Sequence, residues 1–172
     1  EKEAQQALRL NPSNPEAAVL VGAALVLGKN WSKAEEVYGT IIRQLPGHPL
    51  GYVKMAALRK VQARPEAAAQ LFSQALSHAP NDLLILQDYL LTLVQTKQPQ
   101  QADRVLGQYL TNDSRDPNLW RLAGRFYLAQ QKTDQAEKAF RKAVDLAPDL
   151  ALVHYELGQL YFGERKFSAA ES

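Results

Sequence analysis

Small residues and prolines recur along this chain at one fixed step. Ala34, Ala68, Ala102, Ala136 and Ala170 lie 34 residues apart. Pro12, Pro46, Pro80 and Pro148 follow steps of 34, 34 and 68; Pro15, Pro49 and Pro117 follow 34 and 68. The step returns in Gly22, Ala56, Gly124 and Gly158, and in the large residues Tyr38, Phe72, Leu106 and Phe140. A strict period without insertion means that one supersecondary unit is repeated. A unit this short cannot bury its apolar face alone. Neighbours must stack, and stability becomes a sum of nearest-neighbour terms.

Each period holds two amphipathic helical segments. In residues 117–150, Asp116 precedes Pro117, an N-cap followed by proline at the first helical position. Trp120, Ala123, Gly124, Tyr127 and Leu128 then fall at helical spacing. A polar turn over 130–133 follows, with Asp134 expected to cap the second helix. That helix presents Ala136, Phe140, Ala143 and Val144 and stops at Ala147-Pro148. Asn14 and Asp82 are caps in the same register, with His48 and Leu150 as weaker ones. Pro65 and Pro99 open second helices where Trp31 and Phe167 stand in other units. Trp31 is expected to anchor the turn by packing.

The pattern resembles the tetratricopeptide repeat, W-x2-L-G-x2-Y, then A-x3-F, then P over 34 residues. Residues 117–150 match it with Trp120, Gly124, Tyr127, Ala136, Phe140, Ala143 and Pro148. Residues 15–48 match with Gly22, Ala34, Tyr38 and Pro46, and 49–82 with Tyr52, Ala68, Phe72, Ala75 and Pro80. Residues 83–116 depart most: Leu90 stands at the small position, Tyr109 replaces an alanine and Ser114 replaces the proline. These departures are expected to widen or rotate that unit locally. Residues 151–172 form a truncated unit carrying Leu157, Gly158, Tyr161 and Ala170; 1–14 read as the second helix of a preceding unit. The resemblance implies an all-α fold, a right-handed α-α superhelix of tandem helix-turn-helix units. In each hairpin the small residue is expected to let two helices approach, with Gly124 facing Ala136 and Ala143.

Composition narrows the function. Residues 1–82 carry 9 Lys/Arg and 7 Asp/Glu, and 83–172 carry 11 of each. Neither half has the basic excess of a phosphate-tracking surface, so no nucleic-acid partner is expected. With no Cys there is no thiol nucleophile or Cys-ligated metal, and the redox compartment is unreadable. The most apolar stretch, Ala17–Leu27, is far too short to span a membrane. The chain opens on Glu1 rather than Met, as expected of a fragment or a processed product. Phosphate loops, nucleophile elbows and zinc helices are missing from the sequence. His48, His78 and His154 are isolated from one another and read as structural or surface residues. Neither catalysis, nor a metal, nor a cofactor is expected. Trp120, Tyr127, Phe140, Tyr161, Phe72 and Tyr38 sit at consensus positions and read as core.

In the family, positions 2, 5, 6, 9, 12 and 13 of each first helix line a concave groove that binds extended peptides or partner helices. Here the row gives the candidate residues Val19, Leu20, Ala23, Val26 and Leu27, then Val53, Lys54, Ala57 and Val61. It continues with Gln87, Asp88 and Leu91, with Arg121 and Arg125, and with Tyr155 and Gln159. Leu50, Leu84 and Leu122 belong to the same row. The groove is apolar on the N-terminal side and mixed beyond it. Apolar residues there suit either a partner or burial against neighbouring units. Arg121 and Arg125 suit either a partner carboxylate or ion pairs with Asp88 and Glu156 of flanking units. The carboxylate clamp of chaperone adaptors in this family needs Lys and Asn at slots that hold Val19, Ala23, Val53, Ala57, Gln87 and Leu91, so it is missing.

The expected role is a non-catalytic scaffold for a protein or peptide partner. A weaker resemblance points to long bacterial arrays of envelope, secretion or polysaccharide systems. Two alternatives stay open: the substrate-recruiting arm of an enzyme, and a self-association module using exposed terminal helices. The compartment is unknown.

Overall fold

A computed structural model describes residues 14–112 and 115–163. Among the described residues there are nine α-helices and no strand. They are α1 Pro15–Leu27, α2 Trp31–Gln44, α3 Pro49–Val61, α4 Pro65–His78 and α5 Leu83–Gln95. Then come α6 Pro99–Asn112, α7 Pro117–Ala129, α8 Thr133–Leu146 and α9 Ala151–Gly163. First helices start at 15, 49, 83, 117 and 151, which is the sequence period. The fold class is the all-α tandem helical repeat. Residues 1–13, with the expected preceding helix, and 164–172, with Phe167 and Ala170, lie outside the described residues.

The chain forms two compact units, Glu1–Lys97 and Gln98–Ser172. In the first, α1 to α5 pack each on the next in chain order; in the second, α6 to α9 do the same. Connections of a few residues leave no other arrangement than antiparallel neighbours.

The expected caps close the helix starts. Asn14 Oδ1 accepts from the Glu16 and Ala17 amides, and Asp82 Oδ1 from those of Leu84 and Ile85. Asp116 Oδ1 accepts from the Asn118 amide at 2.8 Å, and His48 Nδ1 from Leu50 at 3.2 Å. Each satisfies an amide that the helix itself leaves unpaired. Asp134 is not a cap. Lys132 holds that position without a side-chain bond, and Asp134 lies inside the first turn of α8. There it still faces the positive end of the helix dipole. Pro65 and Pro99 open their helices as expected. Trp31 opens α2 and is 38% exposed.

Each hairpin turn uses one left-handed residue: Lys29, Ala63, Lys97 and Gln131, with φ from 55° to 60°. They too are 34 apart. In the first turn the Lys29 amide donates to Val26 O and the Asn30 amide to Leu25 O. The pair recurs as Ala63 to Lys60 with Arg64 to Arg59, and as Gln131 to Leu128 with Lys132 to Tyr127. This double bond closes the helix end and favours glycine at the left-handed position. None of the four is glycine, and a Cβ there costs about 1 kcal/mol. Ala63→Gly is therefore expected to stabilise the protein by up to about 1 kcal/mol in a urea titration. A loss of stability would mean that the Ala63 methyl packs.

Two cores show why the period fixes the packing. In the first unit, Val21 and Leu25 of α1 meet Ala34, Tyr38 and Ile41 of α2 and Met55 and Leu58 of α3. In the second, Ala136, Phe140 and Ala143 of α8 meet Val153, Leu160 and Tyr161 of α9, with Trp120 and Tyr127 of α7 partly buried alongside. A Cβ built on Gly124 would stand 2.5 Å from two carbons of the Phe140 ring. Gly124 thus faces that ring itself, rather than only the alanines around it. Gly22 meets Tyr38 in the same way. Gly51 is a further close approach, with a Cβ 2.9 Å from the Ile42 backbone nitrogen. Leu90, the departure at the small position, is fully buried.

A carboxylate series on the second helices adds polar links between hairpins. Glu35 takes two hydrogen bonds from Arg59, one of 2.8 Å. Asp103 accepts from Lys132 and Glu137 from Tyr161. Positions 35, 103 and 137 share one register; among the described residues Ala69 is the one member of it without a carboxylate. The Arg59 hydrogen bond holds the Glu35 carboxyl below its ordinary pKa. Its contribution is present above the ordinary glutamate range and is lost as pH falls through the lowered value. Glu35→Gln is expected to cost little, because the side chain is 44% exposed. The gap to wild type should narrow on acidification, as melting curves across that range would show. A gap that widens in acid would contradict the assignment.

Candidate functional site: exposed faces of the first helices

The first helix of each unit carries the candidate row. In the first compact unit, Leu20 is 65% exposed, Leu27 85%, Val61 55%, Leu84 76% and Leu91 37%. Ala23 and Ala57 are exposed beside them. Val53, Lys54, Gln87 and Asp88 are half-buried. Val19, Val26 and Leu50 are partly buried and pack against the core, so the row is narrower than the sequence suggests. Helix α1 is apolar almost all round, which is why it can supply a core face and leave leucines outside.

In the second unit, Arg121, Arg125, Tyr155 and Gln159 come together in one open cleft of about 540 Å³ between α7 and α9. Leu128, Ala129 and Leu152 form its apolar rim, and Phe140 and Glu156 also line it. Leu122, which shares the row, is buried and takes no part in the surface. Arg121 donates to Glu156 Oε1 at 3.1 Å, and Arg125 Nε lies 3.7 Å from the same oxygen. The flanking-unit ion pair is therefore made with Glu156. Arg121 Nε and Glu156 Oε2 are buried without a hydrogen-bond partner. Gln159 donates to Tyr155 Oη at 2.6 Å.

The histidines hold the scaffold. His48 caps α3, the His78 ring lies 5.1 Å from Tyr52, and His154 Nε2 bonds Pro148 O at 2.7 Å. Tyr52 Oη reaches Pro46 O in the same register as His154. No group of three metal-ligating side chains occurs among the described residues. No described helix is long and apolar enough to cross a membrane.

No curated protein sequence matches the chain. Solved structures do match in fold. A thermophilic TPR protein from Thermus thermophilus shares 18% identity at a TM-score of 0.65, over 92% of this chain and 87% of that one. MamA from residue 41 onward, from Desulfovibrio magneticus, shares 19% at 0.58, over 91% and 89%. YrrB, described as a TPR protein with an unusual peptide-binding site, shares 17% at 0.57, over 94% and 84%. A model of the TPR repeat matches residues 124–163, and two models of the tetratricopeptide repeat match 62–126 and 1–49. Together they account for most of the period read from the prolines and alanines. The chain belongs to the tetratricopeptide repeat family, whose folds are in general protein–protein interaction scaffolds.

Proposed function

We propose that this chain is a non-catalytic scaffold whose first-helix faces receive an extended peptide or a helix of a partner protein. The observation that carries this is the exposure of Leu20, Leu27, Val61, Leu84 and Leu91 on α1, α3 and α5. Scattered exposed leucines are ordinary, but counted from the starts of their helices these fall at positions 2, 6, 9 and 13, steps of three or four that keep them on one helical face, whereas exposed second-helix residues such as Ser32, Gln70 and Ser73 are polar. An apolar helix face or alternate side chains of an extended strand suit such a row. YrrB, of like fold, is described as having a peptide-binding site, which lends the reading weight.

The test is capture from an extract of the source cells, with wild type and the Leu20→Glu/Leu91→Glu variant side by side. Proteins retained by wild type and lost by the variant are expected. Identical retained sets would overturn the reading.

A further inference from the structure

The cleft between α7 and α9 has a charge pattern that the apolar faces of α1, α3 and α5 lack. Its charged lining is Arg121, Arg125 and Glu156. One carboxylate faces two guanidinium groups, so one positive charge is unbalanced. Both arginines address the same oxygen, Oε1. Arg121 is the buried partner, with a side chain 20% exposed; Arg125 is 52% exposed and more distant. The surplus charge therefore sits on Arg125, facing the opening. The Arg121–Glu156 pair is also under-bonded, with one donor and one acceptor left unsatisfied in a buried place. Such a pair gives little energy of its own, and it fixes the arginines where a second carboxylate could join them.

The apolar rim decides what carries that carboxylate. Leu128 is near the C-terminal end of α7 and Leu152 near the start of α9. Both helices run antiparallel to α8, and Arg121 lies level with Glu156. Leu152 and Leu128 therefore stand at opposite ends of the cleft, with Arg125 between them. Tyr155, 62% exposed, adds an aromatic wall. A free C-terminus would leave one apolar end uncovered. A segment running through would cover both.

We propose that this cleft binds an internal segment of a partner protein that carries an Asp or Glu side chain between apolar residues. The carboxylate would be held by Arg125, with the flanking apolar side chains on Leu152 and Leu128. This rests on the reading that first-helix faces receive a partner, and it names the chemistry that one of them selects.

The experiment uses a library of short random peptides displayed as internal segments, with no free terminus. Selections are run on the full chain, on Arg125→Gln and on Lys138→Gln, which removes an exposed cation from the second helix α8. Wild type and Lys138→Gln are expected to enrich peptides with an acidic residue flanked by apolar ones. Arg125→Gln should lose that preference. Peptides from the wild-type pool should bind Arg125→Gln about tenfold more weakly, and their Asp→Asn or Glu→Gln forms should not distinguish the two proteins. Arg125 is half-exposed, so folding is unthreatened, and a melting curve confirms it. Enriched peptides without an acidic preference would overturn this proposal while leaving the scaffold reading intact. Enrichment only with a free C-terminal carboxylate, in a parallel library that exposes it, would also overturn it. No enrichment from any library would overturn both readings for peptides.

Discussion

Gly124→Leu is expected to lower the melting temperature by roughly 10 °C. The cause is local. A Cβ at this position would fall 2.5 Å from Phe140 Cδ1 and Cε1 and 2.8 Å from Cζ. Phe140 of α8 is fully buried, in a cluster with residues of α7 and α9. Either the ring leaves its rotamer or the helices separate. Overpacking of this kind costs about 3 kcal/mol, and each kcal/mol shifts the melting of a chain this size by about 2–4 °C. Gly39→Ala is the internal control. Its Cβ would meet Arg43 Nη1 at 3.4 Å and Met55 Cε at 3.9 Å, ordinary contacts in mid-helix. Removing glycine there should stabilise by about 0.5–1 kcal/mol. A Gly124→Leu protein melting within a degree or two of wild type would refute the close-approach account.

The Leu20→Glu/Leu91→Glu protein is expected to keep its helicity and lose partner binding by about a hundredfold. Both leucines point outward, Leu20 by 65% and Leu91 by 37%. Neither belongs to a buried core cluster, so replacing them leaves little unsatisfied. On the binding side the effect is large. Each apolar side chain removed from a buried contact costs about 1.5–3 kcal/mol, and each carboxylate placed there adds desolvation. Two such changes exceed the roughly 2.8 kcal/mol that a hundredfold represents. Leu20→Ala/Leu91→Ala should weaken binding less, because no charge is buried. If helicity falls instead, the two leucines are core and the register of the face is wrong.

Much of this fold is legible in the sequence. Prolines and alanines at a 34-residue step place every first-helix start, because proline at the first helical position is tied to the cap before it. Gly124 against a following aromatic signals a close approach. The misses have physical reasons. Asp134 looks like a cap by residue type, but Lys132 occupies the capping position with no side-chain bond. Left-handed turn residues are hidden because Lys29, Ala63, Lys97 and Gln131 share no chemistry; only their spacing betrays them. Val19, Val26 and Leu122 sit on the row that the family leaves open, yet Val19 and Val26 of the mostly apolar α1 pack against the first core and Leu122 is buried. The Arg121–Glu156 pair links residues 35 apart, a separation at which sequence leaves alternatives that only neighbouring hairpins resolve. The carboxylate series at 35, 103 and 137 is obscured by Ala69.

The central claim is that partners lie against the first helices. It is tested most directly by a photo-crosslinking residue placed singly at Leu20, Leu91, Gln70 or Ser73, with irradiation in an extract of the source cells. Gln70 and Ser73 are exposed on the second helix α4, and serve as the opposite surface. Crosslinks to the same partner from positions 20 and 91, and none from 70 and 73, are the expected result. Crosslinks from positions 70 and 73 alone would contradict the account.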